Sequence, residues 1–230
     1  MKVIAIIPSA GQGLRMQTEV EKPYIRIGGR PILAHTLDVL DQCPLVDGYI
    51  IVVEPSKPEA CRHEIVDAFG YQRVLDVVAG GATRQESVFN GLKTLDVDTD
   101  VVLIHDAARP CIDPVLISAS IHQCRRDGAV LVAVPAKDTI KIVRGGMVET
   151  TLDRSTLWLA QTPQTFTCQI LREAHEKARQ ENYIGTDDAA LVEWAGHDVH
   201  ILHGDYDNIK ITTPEDLDTA ERILHRQGRI

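Results

Sequence analysis

Residues 3–13 read VIAIIPSAGQG, an apolar and largely β-branched run followed at once by proline, serine and two glycines. A run with no polar residue on either face is typical of a strand buried inside a parallel sheet. The glycines come where such a strand turns into a loop, and they let backbone N–H groups approach a phosphate closely. The stretch therefore predicts a buried first strand with a phosphate-binding loop at its carboxyl end.

Similar apolar runs recur along the first half of the chain, over residues 48–53, 74–79, 101–105 and 129–134. Between them apolar residues recur at helical spacing, as at Val88, Leu92 and Leu95. Asp113 and Pro114 are typical of the N-cap and first position of a helix. The alternation predicts an α/β fold, Rossmann-like, with a mostly parallel sheet and helices on both faces.

The pattern changes after residue 134. Residues 139–143 and 147–150 flank Gly145 and Gly146, which predicts a β-hairpin with a glycine turn. A polar stretch then ends at Gln161-Thr162-Pro163. Beyond it the pattern predicts helices over 168–180 and 187–194, short strands over 199–202 and 208–211, and a last helix capped by Thr213. The hairpin has no linker of its own, so we interpret it as an excursion from one domain.

Composition excludes several classes of protein. Lysine and arginine number 24 against 33 aspartates and glutamates, a net charge of −9, which disfavours binding to nucleic acid or anionic membranes. Aromatic residues are only 4%, which argues against a base-stacking surface. No apolar run approaches the roughly 20 residues of a membrane span, and the first stops at Pro8, too early for a signal peptide. Five widely spaced cysteines without a C-x-x-C motif favour reduced thiols and a cytoplasmic location.

Two cations accompany the first loop. Arg15 lies inside it and Lys22 follows seven residues later, so both are placed to contact one polyphosphate. A dinucleotide fingerprint begins in the same way, but Met16 replaces its third glycine. The acid expected about 20 residues on is also missing, because the second strand ends only at Glu54. Phosphate binding is favoured, and a tight turn with a solvated arginine is the alternative.

Two further motifs close later strands of the predicted sheet. Residues 80–87 read GGATRQES, which fits either a ligand-binding loop or simply the capped start of a helix. Residues 105–110 read HDAARP, and Asp106 is there placed to hold Mg²⁺ through one oxygen while phosphates supply others. A salt bridge between Asp106 and Arg109 is the alternative, and both can hold.

Taken in order, the motifs resemble those of one family, the 2-C-methyl-D-erythritol 4-phosphate cytidylyltransferases. They are A-G-x-G-x-R-M, the lysine before Tyr24, G-G-x-x-R-x-x-S, H-D-A-A-R-P, D-T-I-K, L-D-R-S-x-L-W-x-A-Q-T-P-Q-x-F and D-N-I-K-x-T-x-P-E-D-L. Ser9 departs from the pattern, which often has alanine there, and so does Pro23 after the lysine. The resemblance implies one nucleotidyltransferase domain over residues 1–230. It would transfer CMP from CTP to the phosphate of methylerythritol phosphate, giving 4-diphosphocytidyl-2-C-methyl-D-erythritol and pyrophosphate.

The resemblance also implies a role for each candidate residue. Arg15 and Lys22 would be catalytic, and Asp106 would hold Mg²⁺. Substrate contacts would come from Arg154, Lys210, Asp106, Ala107, Arg109, Thr139 and Thr162. Nucleotide contacts would come from Ser9, Ala10, Gly11, Gly13, Gly81, Ala82 and Ser87. The family forms homodimers in which an arm, here residues 136–159, reaches over the partner's site, so that Arg154 would serve the neighbouring subunit.

Three other functions stay open at this point. A cytidylyltransferase acting on ribitol phosphate is similar over the first four motifs, although the segment from Asp153 to Phe166 favours methylerythritol phosphate. A nicotinamide-dependent oxidoreductase is weakened by Met16 and the missing acid. A non-catalytic nucleotide-binding regulator would not need cations at four separate loops.

Overall fold

The computed structural model describes residues 1–11 and 22–230 of the chain. Its strands are β1 (Lys2–Pro8), β2 (Arg26–Ile27), β3 (Arg30–Pro31), β4 (Gly48–Val53), β5 (Val74–Ala79), β6 (Thr99–Ile104), β7 (Ala129–Pro135), β8 (Lys141–Arg144), β9 (Met147–Thr151), β10 (Trp158–Thr167) and β11 (His200–His203). Its α-helices are α1 (Ile32–Gln42), α2 (Pro58–Cys61), α3 (Arg84–Lys93), α4 (Pro114–Asp127), α5 (Cys168–Gln180), α6 (Asp188–Ala195) and α7 (Pro214–Arg226). A π-helical turn, Arg62–Asp67, continues α2.

Within the described residues, seven strands form the central sheet in the order β11-β7-β10-β6-β1-β4-β5. Neighbouring strands run parallel except around β10, which is antiparallel to both β6 and β7. The five apolar runs read from the sequence correspond to β1, β4, β5, β6 and β7. The predicted mostly parallel sheet is therefore confirmed.

Helices cover both faces of this sheet because alternate residues of each strand point to opposite sides. On one face Ile7 packs with Leu33 of α1 and Ile121 of α4. On the other face Ile6 packs with Val88 of α3 and Leu171 of α5. Gly91 of α3 brings that helix close to the sheet, since a Cβ there would lie 2.8 Å from Ile6 Cγ2. The close approach places the first turn of α3 at the carboxyl ends of the strands.

The antiparallel strand β10 is absent from the sequence-based prediction, which gave only a polar stretch over its first half. Its sequence, WLAQTPQTFT, lacks the apolar run that marks a buried strand. The buried polar groups are instead satisfied by side chains. Gln164 Oε1 accepts the backbone N–H groups of Asp188 and Ala189, and the Thr165 hydroxyl donates to Ser120 Oγ. Most of its buried residues, 161–166, are polar and hydrogen-bonded, and Phe166 is the large apolar side chain among them, so apolar periodicity could not find the strand.

Residues 208–211 were predicted as a strand, and this was wrong. The segment crosses the carboxyl edge of the sheet as a loop, fixed by the Ile211 N–H donating to Ala108 O and by Arg109 Nη1 donating to Asn208 O. The outer edge of β7 is already paired with β11, so no ladder is open to this segment there. Its apolar residue Ile211 packs under α7 instead.

The predicted hairpin is present as a separate two-stranded sheet of β8 and β9. Gly145 and Gly146 make its turn with φ of +56° and +80°, the left-handed region that favours glycine. Every residue of both strands is exposed. None of the helices in the described parts of the chain is both long enough and apolar enough to span a bilayer.

Candidate active site

A cleft of about 1010 Å³ opens at the carboxyl ends of β1, β4, β5 and β6. Open α/β sheets bind their ligands at this edge. Its lining comes from six parts of the chain: Pro8, Ser9, Ala10 and Gly11 at the end of β1; Lys22 and Pro23; Glu54 and Pro55; the segment from Gly80 to Arg84 with Ser87; Asp106, Ala107 and Ala108 after β6; and Lys210 with Thr212 from the loop before α7. The fold thus gathers residues that lie up to 200 positions apart in the sequence.

The loops of the cleft stay in register because ladder hydrogen bonds continue past the strand ends. Ser9 N–H donates to Val52 O at 2.7 Å, and Gly80 N–H donates to Val53 O at 2.7 Å. Gly80 has to be a glycine, since a Cβ there would lie 2.6 Å from the Cβ of Ala10. The loop after β1, which includes residues 9–11 and is called the first glycine loop, therefore touches the loop of residues 80–82 after β5, called the second glycine loop. Together they form one wall of the cleft.

The segment GGATRQES is both the capped start of a helix and part of the cleft, so the two interpretations hold together. Thr83 and Glu86 form a capping box at the start of α3, each accepting the other's backbone N–H. The Ser87 hydroxyl donates to Thr83 O at 2.9 Å and accepts the Gly81 N–H at 3.1 Å. These bonds fix the conformation of the second glycine loop. Six predicted nucleotide residues line the cleft: Ser9, Ala10, Gly11, Gly81, Ala82 and Ser87. Their contact with a nucleotide stays a prediction.

Asp106 carries the buried negative charge of the cleft. Its Oδ2 accepts from Lys210 Nζ at 2.6 Å, and its Oδ1 accepts from the Arg84 guanidinium at 3.4 Å. Burial opposes ionisation, but the positive charges of Arg84 and Lys210 outweigh it and hold the pKa of this carboxyl well below its usual range. The alternative salt bridge from Asp106 to Arg109 is not formed between the side chains, because the Arg109 guanidinium donates to Asn208 O and Ala160 O.

Two of the predicted substrate residues lie behind the floor of the cleft. The buried Thr162 hydroxyl bonds to His105 Nδ1 at 3.0 Å and accepts the Asp106 N–H at 3.1 Å. Burial lowers the pKa of His105 to about 4, so the imidazole is neutral near pH 7. Arg109 is also buried, and it joins β10 to the loop that carries Lys210. In this structure the two predicted substrate residues, Thr162 and Arg109, support the loop that carries Asp106 from behind.

Two other predicted substrate residues lie at the base of the hairpin. Thr139 and Arg154 are exposed, and neither lines the cleft of its own chain. Arg154 Nη1 donates to Lys137 O at 2.8 Å, which closes the base of the hairpin. Of the predicted catalytic pair, Lys22 lines the cleft, whereas Arg15 lies outside the described residues, as does Gly13.

The sequence matches the family model of 2-C-methyl-D-erythritol 4-phosphate cytidylyltransferase, IspD, over residues 3–226. The chain belongs to this family. The predicted family, fold and activity are confirmed: the chain is a nucleotidyltransferase enzyme of the non-mevalonate pathway, joining CTP and 2-C-methyl-D-erythritol 4-phosphate into 4-diphosphocytidyl-2-C-methyl-D-erythritol. The three alternative functions are set aside by this match.

Relatives named as 2-C-methyl-D-erythritol 4-phosphate cytidylyltransferase are similar over almost the whole chain. The protein from Geotalea uraniireducens is 49% identical over 97% of this chain and 97% of its own. That from Geobacter metallireducens is 47% identical over 97% of this chain and 98% of its own. A crystal structure of 4-diphosphocytidyl-2C-methyl-D-erythritol synthase from Anaerococcus prevotii superposes with a TM-score of 0.85 at 35% identity, covering 98% and 99% of the two chains.

Arg84 is a charged residue of this cytidylyltransferase cleft that the sequence-based assignment did not single out. It is the first residue of α3, and it lies between Asp106 at 3.4 Å and Asp188 at 2.7 Å. A cation at a helix N-terminus is disfavoured by the helix dipole unless carboxylates compensate. An arginine at the first position of a helix was therefore the signal in the sequence. It indicates that carboxylates from other parts of the chain lie beside Arg84.

The residues present fit one Mg²⁺ bound mainly by phosphates. The described residues contain no group of three histidine, cysteine, aspartate or glutamate side chains arranged to hold a metal ion. Mg²⁺ is usually bound through one or two carboxylates with substrate phosphates and water supplying the rest. Asp106, ionised and lining the cleft beside the first glycine loop, suits that donor set.

Proposed function

We propose that the cleft performs the family's reaction with CTP along the two glycine loops, with Mg²⁺ at Asp106, and with a substrate phosphate held by Lys210 and by Arg154 of a second subunit. The observation that carries this proposal is the convergence of Lys22, Lys210, Arg84 and Asp106 on the glycine loops in one cleft. Arg15 completes the set on the strength of its motif.

The chemistry needs charge rather than a protein nucleophile. An oxygen of the substrate phosphate attacks the α-phosphorus of CTP, and the bond from that phosphorus to the bridging oxygen breaks, so that pyrophosphate leaves with the electron pair. The nucleophile is already an anion, so no side chain has to remove a proton. The obstacle is repulsion between anions, and fixed cations lower it most where charge develops. Lys22 and Arg15 would act at the α-phosphorus.

Asp106 is the residue that would hold the magnesium. When bound, Mg²⁺ would neutralise phosphate charge in the cleft. The chain's own contribution is to keep the carboxylate ionised and in place, through Lys210 and Arg84 on its oxygens and the Thr162 hydroxyl on its backbone N–H.

Base selection would come from backbone groups near Ala10 and Gly81. The Ser87 hydroxyl, buried and bonded on both sides, holds the Gly81 N–H in a fixed direction. Fixed donors and acceptors reject a base whose edge leaves one of them unpaired. The loop is therefore suited to choose cytosine over uracil.

The arm, residues 136–159, would complete a homodimer. The hairpin strands are exposed on every residue, and they carry the apolar side chains Ile142, Val143, Met147 and Val148. A two-stranded hairpin is at best marginally stable alone in water, so it gains stability by packing on another surface. Because Arg154 does not line its own cleft, a two-fold dimer would deliver it to the partner's. The five free, buried cysteines suit a reducing cytoplasm.

Pyrophosphate release tests this function and its specificity. We expect release only when CTP, Mg²⁺ and methylerythritol phosphate are all present. Replacing the acceptor by ribitol phosphate, or CTP by UTP, should lower kcat/KM by at least about 100-fold. Equal kcat/KM with ribitol phosphate would refute the acceptor assignment, and equal kcat/KM with UTP would refute the base pocket.

A further inference from the structure

A row of alternating charges leads from the cleft into the interior. Lys210 Nζ lies 2.6 Å from Asp106 Oδ2, and Asp106 Oδ1 lies 3.4 Å from the Arg84 guanidinium. Arg84 Nη1 lies 2.7 Å from Asp188 Oδ2, and Asp188 Oδ1 lies 3.1 Å from His175 Nε2. Lys210, Asp106 and Arg84 line the cleft, whereas Asp188 and His175 do not. The row therefore joins the reaction site to α5 and α6.

Asp188 and His175, at the inner end of the row, are almost completely buried. The side chains of Asp188 and His175 are 0% and 1% exposed. Burial opposes ionisation of Asp188, but Arg84 and His175 outweigh it and lower the pKa of the carboxyl. A buried ion pair of this kind is weak evidence for stability, because desolvation offsets most of its attraction. A role in placing Arg84 is a better reason for it.

The two contacts of Arg84 are unequal. The contact with Asp188, at 2.7 Å, is 0.7 Å shorter than the contact with Asp106, at 3.4 Å. Arg84 is thus anchored in the interior and reaches toward the cleft. Asp188 is itself held by α6, whose first backbone N–H groups are accepted by Gln164 Oε1. Without the anchor, the guanidinium is free to pair closely with Asp106, and it then competes with Lys210 for that carboxylate.

We propose that Asp188 and His175 are positioning residues for cytidylyl transfer: they anchor Arg84, and Arg84 in turn sets the position of Asp106 and Lys210. This inference rests on the proposed function of the cleft. His175 fixes one oxygen of Asp188 and leaves the other to Arg84. The ring of His175 also stacks on Phe89 of α3, at 6.1 Å between centroids, so the same histidine braces the helix that carries Arg84.

The first test is Asp188→Asn, which keeps the shape of the side chain and removes its charge. We expect kcat to fall between about 10-fold and 100-fold, while the KM for CTP changes less than about twofold, because a misplaced group costs rate more than nucleotide binding. Asp38→Asn is the matched control, since Asp38 pairs with Arg30 at 2.7 Å outside the cleft. It should lower Tm and leave kcat unchanged.

Two further variants keep the inference testable if Asp188→Asn does not fold. His175→Gln retains an N–H donor for Asp188 and should keep most of kcat, whereas His175→Leu should lose it. In addition, Asp188→Asn added to Arg84→Ala should lower kcat no further, because the effect runs through Arg84.

A wild-type level of kcat in folded Asp188→Asn or His175→Leu would overturn the inference, as would full additivity with Arg84→Ala. An inactive wild-type enzyme would instead contradict the proposed function itself.

Discussion

At the residue scale, the cleft depends on how a single carboxylate is held. Asp106 is buried between two cations and stays ionised because of them. Its backbone is fixed by Thr162, and that hydroxyl is fixed by His105. The cations Arg84 and Lys210 are thus held in place without a substrate, which is the preorganisation that the proposed charge stabilisation requires.

Lys22 is the described residue whose charge should matter most in the transition state. Lys22→Ala should lower kcat by about 100- to 1000-fold and raise the KM for CTP only a few-fold, because the charge it meets develops during the reaction. Steady-state kinetics with varied CTP measures both constants. Lys93→Ala, an exposed lysine on α3, is the control and should change neither. Loss of CTP affinity with kcat intact would make Lys22 a ground-state binder instead.

His105 should make stability depend on pH. Its pKa is lowered by burial to about 4 in the folded protein, against about 6.5 when unfolded, so the unfolded chain binds more protons between these values. The free energy of unfolding should therefore fall as pH falls from 6.5 to 4, by roughly 3 kcal/mol from this group. Urea unfolding at several pH values measures the slope. His105→Gln should flatten it, whereas the exposed His63→Gln should not; an unchanged slope in His105→Gln contradicts this assignment.

The sequence could locate most of the cleft at this scale because its loops carry short motifs at strand ends. Ala10, Gly81 and Asp106 were placed in this way, whereas Lys210 was assigned from the family resemblance, within a segment that was wrongly predicted as a strand. Arg84 was not assigned a role because its partner Asp188 lies 104 residues away, and only the fold shows that pair.

At the element scale, the position of α3 connects packing to the site. The helix begins at the second glycine loop, and its interior residue Gly91 lies against β1 and β4, where a Cβ would be 2.8 Å from Ile6 and 3.2 Å from Val52. The contact sets how close Ser87 and Arg84 come to the first glycine loop. Core packing thereby determines the width of the cleft.

Gly91→Ala should be destabilising although alanine is the better helix former. The added methyl group has to displace buried side chains in β1 and β4, so we expect a loss of about 1–3 kcal/mol in the free energy of unfolding. The KM for CTP should rise as well, because α3 shifts outward with its loop. Chemical denaturation and CTP kinetics measure the two effects, and Lys93→Ala on the exposed face of the helix is the control. A stabilised Gly91→Ala enzyme would show that α3 is not tightly packed there.

The elements that sequence reasoning found and missed differ in what holds them. Apolar runs found β1, β4 and β7 because these strands are buried among apolar residues on both faces. They missed β10, whose buried Gln164 and Thr165 are held by hydrogen bonds to distant partners. They also suggested a strand at residues 208–211, which instead form a loop whose hydrogen bonds run to residues at the carboxyl edge of the sheet.

At the scale of the whole molecule, the arm carries a hairpin whose two strands, β8 and β9, are exposed at every residue in the single chain. The hairpin projects from the sheet between β7 and β10, and its strands form a sheet of their own. Arg154 lies at its base and away from the cleft of the same chain. The proposed two-fold dimer would account for both observations.

Complementation tests the shared site. Arg154→Ala and Lys22→Ala proteins, each nearly inactive, are mixed under conditions that exchange subunits, with exchange confirmed separately. If Arg154 acts in the partner's cleft, each mixed dimer has one intact site, and about a quarter of wild-type activity should return, since about half of the dimers are mixed. No recovery after confirmed exchange would place both residues in the same subunit's site.

The central claim is that the cleft joins the α-phosphate of CTP directly to the substrate phosphate. Phosphorus NMR of the wild-type reaction observes the bond itself. We predict that CTP and methylerythritol phosphate disappear together, and that one new diphosphate and one pyrophosphate appear for each pair consumed. Lys22→Ala protein should give the same products more slowly. Formation of CMP with the methylerythritol phosphate signal unchanged would mean hydrolysis in place of transfer, and it would contradict the account.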